Sequence, residues 1–360
     1  MIRIILSGGG TGGSVSPLLA IAQEIKRTRP ETDFLFIGTR KGNPEKTMIK
    51  SFPYIKYQSI FSGKLRRYFS LRNFTDLFLI LKGFFQSFFI ILKFKPQAVL
   101  SAGAFVSVPL AWAAWILNVP VFIHQQDVRP GLANKLMAKI SRKITVSFKK
   151  SLESFALNKT ILTGNPVSPK ILTGDKEKAI KRFNLKSNLP CLLIMGGGTG
   201  ALEINQAIEE IIPDLVKFCQ VVHLTGLRKG IGKFIHSHYH QIEFLPQEGL
   251  ADIYAVADLV VSRAGLGALT ELSVLKKPAI IIPITNSHQE TNAKYFAKQK
   301  AIVLLRGKKI NSQELLSKIK ELILDNKQRA LLSLNISQLA SIEASKKISK
   351  VVLENISAWA

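Results

Sequence analysis

A chain of 360 residues exceeds what one hydrophobic core organises, so two domains of ordinary size are expected. With 47% hydrophobic residues, a mean hydropathy of +0.18 and no long polar low-complexity tract, the composition excludes a disordered chain. The net charge of +26 is uneven: residues 1–162 hold 24 Lys and Arg against 7 Asp and Glu, and between Glu45 and Asp127 the one acid is Asp76. Part of the first half should therefore attract a polyanion or an anionic membrane surface, a solvated basic face being the plainer alternative. Two cysteines, Cys191 and Cys219, are too few and too unpatterned for a disulfide framework or a metal site, and no signal-peptide architecture precedes the opening MIRIILSGGG. A reducing cytoplasm is the expected compartment.

In chain order, the first half alternates short β-branched runs with helical stretches. IRIILSG reads as a strand, Pro17 to Arg27 as a helix, DFLFIGT as a strand, then AVLSAG and VPVFIHQ. The turn formers of LTGNPVSP, Leu162 to Pro169, mark a boundary, with domains expected over 1–162 and 163–340. The second half repeats the grammar: CLLIMGGG, VVHLTG, IEFL, LVVSRAG and PAIIIPI are strands, and Leu202 to Ile211 and Ala268 to Leu275 are helices. After Asp325 only helices are expected, the last of them, within 341–360, packing back on the first domain. Strands alternating with helices predict two doubly wound parallel sheets of Rossmann type.

The turn GGGTGG, Gly8 to Gly13, returns as GGGTG in MGGGTGA, Met195 to Ala201, one copy per half. Such a strand-to-helix turn lets backbone N–H groups approach a phosphate, and two copies at equivalent places favour loops facing each other across a cleft. Both fit the loose dinucleotide pattern, but a dinucleotide enzyme needs an acid at the end of the next strand for the ribose. DFLFIGTR ends in Thr39 and Arg40, and VVHLTGL in Thr225 and Gly226; only an Arg40 contact with an NADP phosphate would rescue that reading.

A further turn, SRAGLGALTEL, Ser262 to Leu272, follows the strand DLVV and opens a helix whose first amides point at whatever occupies the crevice. Glu271 lies about a turn into that helix, where a carboxylate can accept both hydroxyls of a ribose. His288, Gln289 and Asn292 of NSHQETNA offer groups suited to sugar hydroxyls. The order reads as a nucleotide-sugar pocket.

These segments, with LSAGAFVSVPLAWAAWILNVPVFIHQQD, GLANKLMAKI, LTGNPV, KKPAIIIPI and HQETNA, resemble the MurG glycosyltransferases over nearly the whole chain. The resemblance implies a GT-B fold, two Rossmann-like domains facing across a cleft. It also implies metal-free inverting transfer of N-acetylglucosamine from its UDP donor to undecaprenyl-pyrophosphoryl-muramyl-peptide in peptidoglycan synthesis. The enzyme would be peripheral, on the cytoplasmic face of the plasma membrane, with no cofactor and no nucleic acid. Carried over, Thr11, Gly12 and Gly13 lie near the donor diphosphate and acceptor, and Gly198 and Thr199 border the donor. The backbone of Leu245 reads the uracil edge. Leu266, Gly267, Ala268, Leu269 and Thr270 bind phosphate, Glu271 the ribose, and Gln289 with His288 the N-acetylglucosamine hydroxyls. Asp127, Asn134, Ser168 and Arg263 join the substrate-binding positions.

Three departures fall on the chemistry. Ser14 stands where the family usually has histidine; HQQD replaces HEQN, so that Gln125 and Asp127 stand for glutamate and asparagine; and Ser168 stands where an arginine often follows GNPV. The catalytic candidates are therefore Asp127, His124 and Ser14, with Asp127 preferred as the base. Alternatives are a related transferase with another UDP-sugar or lipid acceptor, and a weakened homologue that binds nucleotide-sugar without turnover.

The apolar run Leu77 to Phe94 holds Lys82, Gln86, Ser87 and Lys93, a poor pattern for spanning a bilayer. Lys64, Arg66, Arg67 and Arg72 precede it and Lys93 and Lys95 close it, which predicts an interfacial helix on an anionic leaflet. His236, His238 and His240 read as a solvated loop, not a metal site. The charge alone raises nucleic-acid binding, but no stacking-aromatic or helix-turn-helix pattern supports it.

Overall fold

The structure, a computed structural model, describes residues 1–63, 72–197, 200–232, 234–307 and 310–357. Lys64, Arg66, Arg67, Gly198, Thr199 and the side chain of Arg72 lie outside the described residues. The chain divides into two compact units, Met1–Val167 with Ser341–Ala360, and Ser168–Ala340.

In the first unit the strands are β1 (Arg3–Ser7), β2 (Asp33–Thr39), β3 (Ile55–Ile60), β4 (Ala98–Ser101), β5 (Val121–Gln125), β6 (Lys143–Val146) and β7 (Thr160–Leu162). They form one parallel sheet in the order β3-β2-β1-β4-β5-β6-β7. The continuous apolar run of β1 is what a sheet covered on both faces requires. Ile4 and Leu6 face one layer, with Leu18, Ile21 and Ile25 of the helix Ser16–Thr28 and Ile348 and Val352 of the helix Ala344–Ser357. Ile5 faces the other, with Leu110 of the helix Ser107–Ile116 and Ile90 and Ile91 of the helix Arg72–Phe94.

In the second unit, β8 (Cys191–Met195), β9 (Gln220–Leu224), β10 (Tyr239–Ile242), β11 (Leu259–Ser262), β12 (Ala279–Ile281) and β13 (Val303–Leu304) pair in parallel in the order β10-β9-β8-β11-β12-β13. Both sheets reverse direction of growth beside their first strand, between β1 and β4 and between β8 and β11. A ligand crevice opens at such a switch point, beyond the carboxyl ends of the strands.

The structure shifts one strand expected from sequence. The segment IEFL is not itself a strand: β10 spans Tyr239–Ile242, because Tyr239 to Ile242 pair with Val221 to Leu224 and the chain then leaves the sheet. This carries Glu243, Phe244 and Leu245 past the carboxyl edge. The short strands β3, β6, β7 and β13 have no counterpart in the strands read from sequence. The histidine segment is not simply a solvated loop either: His240 lies in β10, and the His238 ring donates through Nδ1 to the Val216 carbonyl at 3.2 Å.

Candidate functional site

The first glycine turn follows β1 and is tied down from two sides. Ser14 is buried; its Oγ accepts from Gly9 N at 3.0 Å and lies within hydrogen-bond reach of the Thr11 carbonyl at 3.2 Å. Gly8 must be glycine, since a Cβ there would stand 2.5 Å from the Ser14 carbonyl oxygen. From the other side, the fully buried Glu45 accepts from Thr39 N at 2.9 Å, from the Thr39 hydroxyl and, more distantly, from Gly10 N at 3.4 Å. Thr11 and Gly13 stay exposed on the outside of the turn. Ser14 thus acts as a staple of the turn and not as the base expected from sequence: its hydroxyl is committed to loop backbone and an unassisted serine is no base near neutral pH.

His124, also expected as a base, is not one. It lies in β5 with no exposed surface, its Nε2 3.0 Å from Asn165 Oδ1 and its Nδ1 2.9 Å from the Thr145 hydroxyl. Burial lowers its pKa to about 4, so it is a neutral, fully bonded core residue. Where the family has glutamate, the Gln125 amide donates to the carbonyls of Asp127 at 2.7 Å and Arg129 at 3.3 Å and accepts from Asn134 Nδ2 at 2.6 Å. A carboxylate could make only the last of these bonds. Asn134 is buried against Gly103, which adopts φ +86° and leaves no room for a Cβ beside the Asn134 amide. Gln125 and Asn134 therefore shape the loop that carries Asp127, which itself stays partly exposed beyond the carboxyl end of β5.

In the second unit, the described ends of the turn after β8 pack closely on backbone. A Cβ on Gly196 would lie 2.1 Å from Ala201 N, and one on Gly200 2.3 Å from the Thr225 carbonyl oxygen. Arg263, expected to touch substrate, is 6% exposed and holds the scaffold instead: it donates to the carbonyls of Ile282 and Pro283 at 3.2 and 3.3 Å and pairs with Glu203. It fastens the ends of β11 and β12 to the helix Leu202–Leu215. The helix Leu266–Val274 then starts from Gly265 with no side-chain cap. A Cβ added at Gly265 or Gly267 would meet nothing within 4 Å, so open space adjoins the uncapped amides of Leu266, Gly267 and Ala268. Leu269 and the Thr270 side chain are buried, the Thr270 hydroxyl donating to the Leu266 carbonyl at 2.7 Å.

Glu271 is half-buried, and burial of its carboxyl raises its pKa to about 7. Among the described residues its one hydrogen-bond partner is the fully buried Tyr254, whose hydroxyl lies 3.2 Å from Oε2 and also 3.2 Å from Met195 Sδ. A carboxyl held at one oxygen beside an uncapped helix start is set to accept hydroxyls with the other. His288 is exposed at the start of the helix His288–Lys298, and Gln289 Oε1 accepts from Ile284 N at 3.2 Å. Leu245 is buried before the helix Gln247–Val256, and Ser168 opens the 3-10 turn Pro169–Thr173. Glu45, Glu203 and Tyr254 escaped sequence reasoning, because their partners Gly10, Arg263 and Glu271 lie 35, 60 and 17 residues away and none shares a motif with its partner.

The two parallel-sheet domains, together with the family match of each, define a glycosyltransferase of GT-B type. The chain matches the glycosyltransferase family 28 N-terminal domain over residues 4–146 and the family 28 C-terminal domain over 191–351. It is 37% identical over 99% of both chains to the UDP-N-acetylglucosamine--N-acetylmuramyl-(pentapeptide) pyrophosphoryl-undecaprenol N-acetylglucosamine transferase of Lachnospira eligens. It is 38% identical to a Bacillus anthracis transferase of the same description, over 91% of this chain and 93% of that one. Among solved structures, Acinetobacter baumannii MurG superposes with a TM-score of 0.76 at 21% identity, covering 98% of this chain and all of that one. The chain belongs to glycosyltransferase family 28, in the MurG group.

Proposed function

We propose that the chain transfers N-acetylglucosamine from UDP-N-acetylglucosamine to lipid-linked N-acetylmuramyl-peptide in peptidoglycan synthesis, with inversion at the anomeric carbon. The observation that carries this reading is the uncapped start of the helix Leu266–Val274, with open space at Gly265 and Gly267 and the Glu271 carboxyl following on the same helix. In this reading Glu271 accepts the ribose hydroxyls, the amides of Leu266, Gly267 and Ala268 receive the diphosphate, and the backbone at Leu245 reads the uracil edge. Gln289 and His288 meet the sugar. As the acceptor oxygen bonds to the anomeric carbon and the bond to UDP breaks, charge grows on the diphosphate, where helix amides are aimed. Asp127 takes the proton of the attacking hydroxyl, because Ser14 and His124 are committed within the fold. No metal is assigned a part; the backbone amides supply the leaving-group stabilisation.

The acceptor reaches the enzyme at a membrane surface, on its cytoplasmic face. The helix Arg72–Phe94 supports this. Its segment Thr75–Phe94 is long and apolar enough to cross a bilayer by length and composition, at mean hydropathy 1.8. One side is built into the fold, with Ile91 and Ser87 buried and Gln86 Oε1 accepting from Phe61 N at 2.8 Å. The other side exposes Phe78, Phe85 and Phe89 at 75%, 59% and 68%. An outer face this apolar is out of place in water and fits a helix lying on a membrane surface.

A thermal-shift series with UDP-N-acetylglucosamine, UDP-glucose, UDP and NADPH, followed by a transfer assay with lipid-linked muramyl-peptide, tests the proposal. Stabilisation by the uridine compounds and turnover of UDP-N-acetylglucosamine are expected. Stabilisation by NADPH and by no uridine compound rejects it; turnover of UDP-glucose instead moves the reading to a related transferase.

A further inference from the structure

Resting on that reading, one cluster of the first unit has no role in it so far. Arg40 follows β2 and Phe61 follows β3, and since Thr39 pairs with Ile60 the two side chains emerge side by side at the carboxyl edge of the sheet. The Arg40 guanidinium stacks on the Phe61 ring at 4.2 Å from its centroid, and the Lys82 ammonium of the helix Arg72–Phe94 lies over the same ring, also at 4.2 Å. The ring is held in place: Phe61 N donates to Gln86, and a Cβ on Gly83 would stand 2.0 Å from the Phe61 carbonyl oxygen, so the helix can lie against it only with glycine there. Two cations on one ring lie within about twice 4.2 Å of each other and repel. Among the described residues neither forms an ion pair.

The cluster joins two other features. Thr39, the neighbour of Arg40, holds Glu45, which also holds the first glycine turn through Gly10. On the helix, Phe78 and Phe85 flank Lys82 at one-turn spacing and are exposed with Leu81. The order from turn to helix is thus polar loop, paired cations, apolar stripe. That matches an amphiphile whose diphosphate joins a polar sugar to a hydrocarbon chain.

We propose that Arg40 and Lys82, pre-positioned on the Phe61 ring, bind the diphosphate of the lipid-linked acceptor, with its chain along Phe78, Leu81 and Phe85. Stacking orders both cations before the ligand arrives, which lowers the entropy lost on binding. A planar guanidinium suits two phosphate oxygens, and the ammonium adds a point charge.

The test uses farnesyl diphosphate and farnesol as soluble probes, calorimetric titration of the whole chain, and the variant Arg40→Met/Lys82→Met beside Phe61→Leu. The wild type should bind farnesyl diphosphate on the order of tenfold to a hundredfold more tightly than farnesol. The double variant should lose that preference, and Phe61→Leu should keep part of it. In transfer assays in detergent without phospholipid, the double variant should raise the KM for lipid acceptor about tenfold and leave that for UDP-N-acetylglucosamine unchanged. The exposed side chains predict an unaltered Tm. If the double variant binds farnesyl diphosphate as the wild type does, the proposal is overturned. It is equally overturned if the variant loses only its binding to phosphatidylglycerol vesicles, which would make the cluster a headgroup site. A wild type that transfers sugar while the variant keeps its acceptor KM defeats this proposal alone; a wild type without transfer defeats the functional reading beneath it.

Discussion

At the scale of single residues, protonation separates the roles. If Glu271 holds the ribose as proposed, only its ionised carboxyl can accept both hydroxyls, and because its pKa is raised to about 7 nucleoside affinity should fall as the pH drops below 7. Uridine, which carries no titrating phosphate, should bind the wild type progressively less well below that pH, whereas Glu271→Gln should bind on the order of tenfold more weakly at pH 8 and show no such slope. The same group affects stability with a fixed sign. The native carboxyl keeps its proton to about 7 while the unfolded one releases it near 4.5, so its contribution is complete below 4.5 and is lost as the pH rises to 7. Urea midpoints of Glu271→Gln should therefore gain on the wild type between pH 5 and 8; parallel curves would show that the carboxyl is not buried. The buried histidines act oppositely. His124 and His223, both lowered to about 4, contribute stability that is present above 6.5 and lost as the pH falls to 4, on the order of 3 kcal/mol each. Asp127→Asn should cost on the order of a hundredfold in kcat with little change in UDP affinity, and full activity in that variant would rule Asp127 out as the base.

At the scale of elements, the two glycine turns are constrained by their own backbone before any ligand binds. Gly8→Ala and Gly196→Ala each place a methyl against main-chain atoms, at 2.5 and 2.1 Å, and should destabilise their units by about 1–3 kcal/mol in chemical denaturation. Gly267→Ala meets no protein atom, so its Tm should hold while UDP affinity falls. That contrast separates a glycine needed by the fold from one needed by a ligand. The helix Arg72–Phe94 divides in the same way: Ile91→Ala, 3% exposed, should lower stability by about 2–4 kcal/mol, whereas Phe85→Ser, 59% exposed, should leave stability intact and reduce binding to anionic vesicles roughly tenfold. Unchanged sedimentation of Phe85→Ser with vesicles would remove that face from the membrane contact.

For the whole molecule, the charge of +26 predicts vesicle association that weakens steeply with added salt, because exposed charges are screened beyond about 10 Å at 0.1 M. The C-terminal helix belongs with the N-terminal unit: Ile348 and Val352 are buried beside Ile21, and Ser349 Oγ lies 3.4 Å from the Ile21 carbonyl. Much of this architecture was readable from the chain itself. Apolar runs of strand length, glycine turns after β1 and β8, and helical periods between them are local patterns; they mark which segments become strands and helices, and their alternation points to parallel sheets covered on both faces. The placement of Glu271 behind an uncapped helix start was readable for the same reason, since both lie within one turn and one helix. Only the tertiary structure decided that His124 is a neutral core residue, that Ser14 and Glu45 staple the first turn, that Arg263 braces the scaffold, and that Arg40 and Lys82 share one ring. Each depends on partners brought near by strand order and helix packing, and burial, which sets whether a polar side chain reacts or merely supports, is a property of the assembled layers and not of any segment.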